Sequence, residues 1–285
     1  DAARAAAAAK EFGLPFFVFG GGSNLLVSDA GIKGMVVKMT NRGLHIEGVD
    51  VIADAGAPSG LVSMRAIEAG LTGLEWMVGL PGTIGGAVRG NAGMFGGEVK
   101  DSLLSVRVLK DGEDRVMKNV ECGFLYRDSV FKREGGFIVL SATFRLSISP
   151  DKDASKALLK TYLLEKKDKQ PIEWPCAGCI FTNWHPGSPE NLEKIRAHLN
   201  MDSSETIPLT AQGTVPAGWL IDKAGLKGTK LGHVMISEKH GNFMVQDGKA
   251  TADEVVQLIA VAKTRVRNIT RGLVQLHEEV VYAGF

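Results

Sequence analysis

The 285-residue chain predicts an α+β fold in two parts, and three observations lead to this prediction. Residues 1–150 alternate short apolar runs with glycine-rich stretches, a pattern typical of strands joined by tight turns. Beyond Pro150 the composition changes to longer, charged segments of helical length. Glycine contributes 35 of the 285 residues, and most of the excess lies between Gly20 and Gly97. A chain of this length is expected to form two or three lobes.

The first part is predicted to begin with a helix and to continue mainly as strands. Alanine-rich residues 2–12 favour a helix that ends at Gly13. A second helix is expected to begin at Pro58 and to stop at Gly70. Residues 73–98 contain too much glycine for a long regular element. Apolar or alternating runs predict strands over 16–19, 34–39, 44–56, 105–110 and 136–146.

The second part is predicted to mix helices with a few strands. Thr251 and Glu254 have the spacing of a capping box, which marks the start of the last helix. Helices are predicted over 151–170, 188–200, 216–225 and 251–269, and strands over 243–246 and 273–284.

Composition excludes several classes of protein. The 33 Lys and Arg residues balance 32 Asp and Glu residues, which argues against a general nucleic-acid or membrane-surface binder. No apolar run approaches the ~20 residues of a membrane span, and no signal peptide is visible. The three cysteines fit a reducing cytoplasm better than a disulfide framework. We therefore expect a cytoplasmic globular protein whose natural N-terminus lies upstream of Asp1.

Two glycine-rich stretches follow apolar runs in the first part. The stretch GGGSN at 20–24 offers successive backbone N–H groups to phosphate oxygens, although a plain glycine turn is equally compatible. It lacks the helix and the distal acidic residue of a dinucleotide-binding fingerprint. A second stretch at 79–93 adds Thr83 and Asn91 as polar anchors. Together the two stretches favour a cofactor that contains a pyrophosphate.

Residue type alone does not decide the function of the other polar motifs. Arg127 lies within YRDSVFK, and Glu278 and Glu279 lie on a predicted strand whose alternation points them to opposite faces. On residue type alone, a solvated surface position is the favoured interpretation for each. The motif SEKHGNF is compatible with a turn or a polar ligand contact, and no GxSxG nucleophile motif accompanies it.

The stretch PCAGCIF at 175–181 contains Cys176 and Cys179, which are separated by two residues. Zinc needs about four ligands, and no second CxxC or HxxxH motif supplies them. A thioredoxin-like dithiol would follow the first strand of a βαβ unit, which is not the context here. Both two-sulfur interpretations are therefore weak.

Taken in order, these motifs resemble one family, the UDP-N-acetylenolpyruvoylglucosamine reductases. The resemblance extends over nearly the whole chain, and the absence of an extra aromatic loop resembles the shorter of the family's two subtypes. The motifs, in chain order, are GGGSNLLVSDAGIKGMVV, GLTGLEWMVGLPGTIGGAVRGNAGMFGGE, YRDSVFK, QPIEWPCAGCIFTN, PAGWLIDKAGLKG, SEKHGNF and LHEEV.

The resemblance implies a PCMH-like, two-lobed FAD-binding domain followed by an α/β substrate-binding lobe. The corresponding ranges are 1–150 for the FAD-binding domain, with its lobes divided near residue 34, and 151–270 for the substrate-binding domain. Residues 271–285 are expected to return as a strand to the FAD-binding lobes and the active site. The resemblance also implies bound FAD, NADPH as co-substrate and a UDP-sugar substrate. It implies no metal and no nucleic-acid, membrane or obligatory protein partner.

By motif position, Arg127 resembles the cation that stabilises negative charge on the substrate, and Glu279 resembles its partner. Cys179 occupies the position of the family's proton-donating serine, and Cys176 occupies a small, noncatalytic position. By this resemblance, PCAGCIF is expected to be a turn that presents the Cys179 side chain. A thiol, with a usual pKa of ~8.5, is a stronger acid than an alcohol and can donate this proton. The implied FAD contacts are Gly20, Gly21, Gly22, Ser23, Asn24, Gly79, Pro81, Gly82, Thr83, Gly85, Gly86, Asn91, Ala92 and Gly93. The implied substrate contacts are Lys167, Lys169, Asn183, His240 and Asn242.

Two further features depart from the family pattern. Residues 184–215 form an unusually long segment that is expected to add a helix near the substrate lobe. His277 replaces a more usual acid and could tune Glu279. The rival hypotheses are a flavin- or nucleotide-binding module inactivated by the exchange of Ser for Cys, and a zinc or dithiol protein.

Overall fold

The computed structural model describes all 285 residues, which form two units. Unit 1 contains residues 1–22 and 33–166, and unit 2 contains residues 23–32 and 167–285. The GGGSN motif is therefore divided between the units after Gly22.

Short strands and nine α-helices alternate along the chain. The strands are β1 (Phe16–Phe19), β2 (Leu25–Val27), β3 (Met35–Lys38), β4 (Leu44–Glu47), β5 (Asp50–Asp54), β6 (Leu71–Thr72), β7 (Gly93–Met94), β8 (Gly97–Glu98), β9 (Leu103–Lys110), β10 (Glu113–Lys118), β11 (Phe137–Arg145), β12 (Ser147–Ile148), β13 (Cys176–Cys179), β14 (Lys230–Leu231), β15 (Val234–Ile236), β16 (Phe243–Gln246) and β17 (Val281–Ala283). The α-helices are α1 (Ala2–Glu11), α2 (Ser59–Glu68), α3 (Ile84–Arg89), α4 (Val99–Ser102), α5 (Val130–Arg133), α6 (Lys152–Lys169), α7 (Pro189–His198), α8 (Ala217–Lys223) and α9 (Ala252–Ile269).

Unit 1 is built on a five-stranded antiparallel sheet with the order β10-β9-β11-β5-β4. Alternate residues of its central strands are buried, as the period of two in an extended chain requires. Val51 and Val106 are fully buried and pack with apolar residues of α2 and α3, such as Val62 and Ile84. Burial of each such side chain contributes roughly 1.5–3 kcal/mol. This core supports the second glycine-rich stretch, which contains α3.

Unit 2 contains a four-stranded antiparallel sheet with the order β13-β16-β15-β14. Its core includes Leu220 and Ile221 from α8 and Leu258 and Ala262 from α9. Unit 2 also contains β2 and β17, which pair with each other in parallel. The pairing holds the residues after GGGSN against the end of the chain.

Local sequence signals predicted most of the helices correctly. The capping box at Thr251 forms in both directions, with the Glu254 N–H donating to Thr251 Oγ1 at 3.2 Å and the Thr251 N–H donating to Glu254 Oε2 at 3.0 Å. The segment 184–215 contributes the expected helix, α7, to unit 2. No helix has both the length and the apolar composition that a membrane span requires.

The strand predicted over 273–284 is wrong over most of its length, because only β17 is a strand. The N–H groups of Glu279 and Val280 both donate to Ile180 O, at 2.8 and 3.3 Å. Two residues thus face one partner, which interrupts the alternation as a β-bulge does. Glu278 makes an isolated bridge to Phe181 before the chain changes partner to β2.

Two predictions for glycine-rich segments differ in outcome. Residues 73–98 form only short elements, as expected, including α3 and a 3₁₀ helix at Glu75–Gly79. The CAGC stretch, which we interpret from sequence as a turn, is instead the irregular strand β13. Its pairing register with β16 shifts between Cys176 and Cys179, where Gly178 has a φ of +76°. Only the kink at Gly178 is turn-like.

The units divide the chain at different residues from the predicted domains. Most of α6 belongs to unit 1, where Tyr162 stacks on Phe95 with ring centroids 4.2 Å apart. The sequence placed this helix at the start of the substrate-binding range. The ligand assigned to each range remains a prediction.

Candidate active site

In unit 1, the two glycine-rich stretches approach each other closely. A Cβ atom added to Gly21 would lie 2.8 Å from the Cα atom of Gly82, and one added to Gly20 would overlap the hydroxyl of Thr83. A Cβ atom at either position would therefore force its neighbour to move, and at Gly21 that neighbour is backbone. Glycine lets the two stretches approach this closely. The resulting cradle is lined by backbone and by one hydroxyl.

That hydroxyl, Thr83 Oγ1, is buried and has no hydrogen-bond partner within the chain. An unsatisfied buried polar group costs about 1–3 kcal/mol, so such a group indicates a place for a ligand. Gly22 lies at the edge of the cradle with a φ of +69°. The cradle therefore fits a polar group such as a phosphate, which accepts hydrogen bonds from N–H and O–H donors.

Other predicted cofactor contacts serve partly in the fold. The Gly85 N–H donates to Ala55 O at 2.8 Å, and the Ala92 N–H donates to Ala87 O at 2.8 Å. Gly79 packs closely against the Lys166 side chain, whose ammonium donates to Gly79 O. Pro81 and Gly86 lie within the same stretch.

The side chain of Asn91 is fully buried and bonded in three directions. Asn91 Nδ2 donates to Glu98 Oε2 at 3.0 Å and to Leu125 O at 2.9 Å. Asn91 Oδ1 accepts from the Lys100 N–H at 3.0 Å. The side chain thus ties the second glycine-rich stretch to Leu125, where the turn that contains Arg127 begins.

Arg127 lies in a tight turn closed by mutual backbone hydrogen bonds between Leu125 and Asp128. Its φ of +55° is in the left-handed region, which is uncommon for a residue other than glycine. Its guanidinium donates to Gly93 O at 2.5 Å and to Asn91 O at 3.5 Å. The second glycine-rich stretch therefore positions a permanent cation.

In unit 2, the structure brings the segments of Cys179 and Glu279 together. The Glu279 N–H donates to Ile180 O, one residue after Cys179, at 2.8 Å. The neighbouring residue, Glu278, forms an ion pair with Lys263 of α9 at 2.8 Å. A thiol and a carboxylate thus lie on adjacent segments of one unit, whereas Arg127 belongs to unit 1.

Asn24, predicted as a cofactor contact, bonds to the Cys179 segment. Its Nδ2 donates to Ala177 O at 3.0 Å and to Cys179 O at 3.3 Å. Ser23 lies beside it in unit 2, with its carbonyl oxygen 3.3 Å from the place of a Cβ on Gly178.

The three cysteines differ in environment. Cys176 is exposed, Cys179 is half-buried and Cys122 is fully buried in unit 1, and all three are free thiols. No group of three or more His, Cys, Asp and Glu side chains could hold a metal ion. The structure therefore offers no support for the zinc hypothesis.

Three of the predicted substrate contacts hold the unit 2 backbone in place. Asn242 is buried, and its amide bonds to both the N–H and the carbonyl of Phe181, at 2.9 and 2.7 Å. Asn183 Oδ1 accepts from the first N–H of α8, that of Ala217, at 3.1 Å. His240 Nδ1 accepts from the Asn242 N–H at 3.2 Å.

Burial, with repulsion from Lys227 as a smaller cause, holds the pKa of His240 below its ordinary value. The neutral ring is also the form that can accept a hydrogen bond at Nδ1. Lys167 and Lys169 lie at the end of α6, and Lys167 O accepts from the Lys239 ammonium at 2.6 Å.

A groove of about 460 Å³ in unit 2 was missed by sequence reasoning. The available signal was that Asn183 and the first two residues of the long inserted segment, Trp184 and His185, line it. The lining residues are Thr182, Asn183, Trp184, His185, Leu273, Gln275 and His277.

Comparison with known proteins gives a consistent result over both units. Residues 170–283 match the C-terminal domain of UDP-N-acetylenolpyruvoylglucosamine reductase, and residues 1–117 match an FAD-binding domain. A UDP-N-acetylenolpyruvoylglucosamine reductase of Solibacter usitatus is 34% identical over 282 residues, which cover 98% of this chain and 86% of that protein. One of Clostridium novyi is 35% identical over 278 residues, covering 96% and 80%.

A solved structure is similar over the same extent. The crystal structure of UDP-N-acetylenolpyruvylglucosamine reductase (MurB) from Thermus caldophilus has a TM-score of 0.74 and 32% identity, and covers 95% of this chain and 86% of that one. The likeness confirms the predicted α+β architecture. With the identity and coverage of the relatives, it shows that the chain belongs to the UDP-N-acetylenolpyruvoylglucosamine reductase family.

Proposed function

We propose that the chain is an FAD-dependent reductase that converts UDP-N-acetylenolpyruvoylglucosamine into UDP-N-acetylmuramate for peptidoglycan precursor synthesis. NADPH is the proposed reductant, and the cytoplasm is the proposed location. The observation that carries the proposal is family membership over the full chain, combined with a glycine cradle in unit 1 and a thiol beside a carboxylate segment in unit 2.

The residues present fit FAD on a structural observation. A Cβ atom on Gly20 or Gly21 would collide with Thr83 or Gly82, and the cradle contains the unpartnered hydroxyl of Thr83. Backbone N–H groups and this hydroxyl would hold the pyrophosphate. FAD, when bound, supplies the hydride for the vinyl carbon of the substrate and accepts one from NADPH.

The chain's own residues are proposed to stabilise the negative charge on the substrate and to supply the proton. Negative charge develops on the carboxylate-bearing carbon of the substrate, and Arg127 would stabilise it as a preorganised cation. The Cys179 thiol would then donate a proton to that carbon and complete the reduction. Glu279, held beside the Cys179 segment, is the proposed partner at the same carbon.

The substrate is proposed to lie against unit 2. Asn183, His240 and the end of α6 with Lys167 and Lys169 are the proposed contacts with the sugar nucleotide. The groove beside Asn183 has room for part of a nucleotide. Asn242 acts through the backbone of Phe181, which it holds on both sides.

The test is NADPH oxidation that depends on the enolpyruvyl sugar nucleotide. We expect purified protein to absorb near ~450 nm, the flavin region, and to oxidise NADPH over many turnovers only when this substrate is present. Bound flavin without substrate-dependent turnover would instead identify a non-catalytic flavin module. Zinc in stoichiometric amount without flavin would reject the proposal.

The role of Cys179 is tested by its variants. We expect Cys179→Ala to leave flavin reduction by NADPH intact and to slow reoxidation by substrate about 10²–10⁴-fold, the usual contribution of a general acid. Cys179→Ser should retain substantial activity. Cys176→Ala is the matched control, because this neighbouring thiol is exposed. Equal turnover of the wild type and Cys179→Ala would remove Cys179 from the mechanism.

A further inference from the structure

We propose that Asn24 is a positioning residue for the proton donor, acting through the backbone that carries Cys179. The motif position of Asn24 implies only a contact with the cofactor. The catalytic consequence of this inference rests on the proposed role of Cys179 in the reaction.

Asn24 is held by secondary structure on its C-terminal side. It immediately precedes β2, which pairs in parallel with β17 over Leu25 and Val281. The Val281 N–H donates to Asn24 O at 2.9 Å. The backbone of Asn24 is therefore anchored to the segment that follows Glu279.

The side chain of Asn24 reaches from this anchor to the kink in β13. Its Nδ2 donates both of its hydrogens to carbonyls on either side of Gly178, those of Ala177 and Cys179. Gly178 has a φ of +76°, and a Cβ atom there would lie 3.7 Å from Asn24 Nδ2. The amide thus binds the chain at the point where the ladder between β13 and β16 is irregular.

The kink at Gly178 is not held by regular pairing between β13 and β16. The Asn24 amide bonds to the backbone there instead. The register shift leaves the residues between Cys176 and Cys179 without continuous ladder bonds. Asn24 supplies two hydrogen bonds from one rigid, part-buried group. The same residue holds the end of the Glu279 segment, so the two proposed catalytic side chains share one anchor.

Small displacements of a proton donor have large effects on rate. A misplacement of about 1 Å can cost about 10²-fold when the donor must meet a reacting atom. Removal of both amide bonds is therefore expected to slow the step that uses the Cys179 proton.

The experiment compares Asn24→Leu, which keeps the volume and removes the donor, with Asn24→Gln, which keeps the donor. Asn119→Ala is the matched control, because Asn119 Nδ2 also donates to two carbonyls, Lys100 O and Leu103 O, but in unit 1. The first readout needs no activity: the alkylation rate of Cys179 by iodoacetamide, divided by that of the exposed Cys176 in the same chain.

We expect Asn24→Leu to raise this ratio at least about fivefold, because the half-buried segment of Cys179 loses both hydrogen bonds from the Asn24 amide. Asn24→Gln should restore much of the wild-type ratio. The second readout is flavin reoxidation by the enolpyruvyl substrate, expected to slow about 10–100-fold in Asn24→Leu. Asn119→Ala should change neither readout.

An unchanged alkylation ratio in Asn24→Leu overturns the inference, as does a raised ratio with wild-type reoxidation. If the wild type itself is not reoxidised by the substrate, the proposed function fails, and the alkylation ratio alone then decides whether Asn24 positions Cys179. A ratio that rises equally in Asn119→Ala identifies general loosening and also overturns it.

Discussion

Replacement of Asn91 by alanine is expected to destabilise unit 1 strongly. The substitution removes two N–H donors and one acceptor from a fully buried site. Leu125 O loses its Asn91 donor, while Glu98 keeps its ion pair with Lys100 at 2.9 Å. Asn91 has a φ of +42°, a left-handed conformation that asparagine adopts more readily than alanine.

The magnitude follows from these contacts. The buried Asn91 side chain makes three hydrogen bonds, each worth about 0.5–1.5 kcal/mol, so their loss costs roughly 1.5–4.5 kcal/mol. The left-handed backbone adds about 1 kcal/mol. We expect Asn91→Ala to lower the free energy of unfolding by roughly 2.5–5.5 kcal/mol in total.

Urea denaturation of the flavin-loaded protein measures this change. Asn91→Gly separates the two causes, because glycine accepts the positive φ but restores no hydrogen bond, and it should recover about 1 kcal/mol. Asn119→Ala is the control at a less buried site. A loss below about 1 kcal/mol in Asn91→Ala would refute the reasoning that this network holds the turn of Arg127.

Three other predictions follow from single contacts. Gly21→Ala should lower FAD occupancy at least about tenfold, because its Cβ would lie 2.8 Å from Gly82 Cα, and unchanged flavin absorbance would contradict the cradle. Cys122 should resist iodoacetamide in the native protein, since burial, with Glu121 nearby, raises the pKa of its thiol to about 12; rapid labelling would show that the site opens. Burial lowers the pKa of His240, so as the pH falls below the ordinary value near ~6.5 the unfolded chain binds a proton that the folded chain does not. The free energy of unfolding should therefore fall between pH 7.5 and pH 5, less steeply in His240→Gln, and equal slopes in both proteins would exclude this residue.

Much of the candidate site could be located from sequence because its motifs are local. The two glycine-rich stretches were predicted to form one cofactor site, and Gly21 and Gly82 do meet in unit 1. The functional assignments of individual residues are a different matter, and they remain predictions. Asn91 and Asn242 illustrate this, because both have buried side chains that bond to backbone. A motif shows that a polar side chain is needed but not which partner it binds.

The sequence by itself determined most of the helices, the central strands, the glycine-rich stretches and the family. These features depend on propensity, capping and periodicity, which act over a few residues. Only the tertiary structure decided where the chain divides, how residues 273–284 pair, and that Asn24 reaches the Cys179 segment. Each of these depends on contacts between distant parts of the chain. Asn24 and Cys179 are 155 residues apart, and the parallel pairing of β2 with β17 is what brings their segments together.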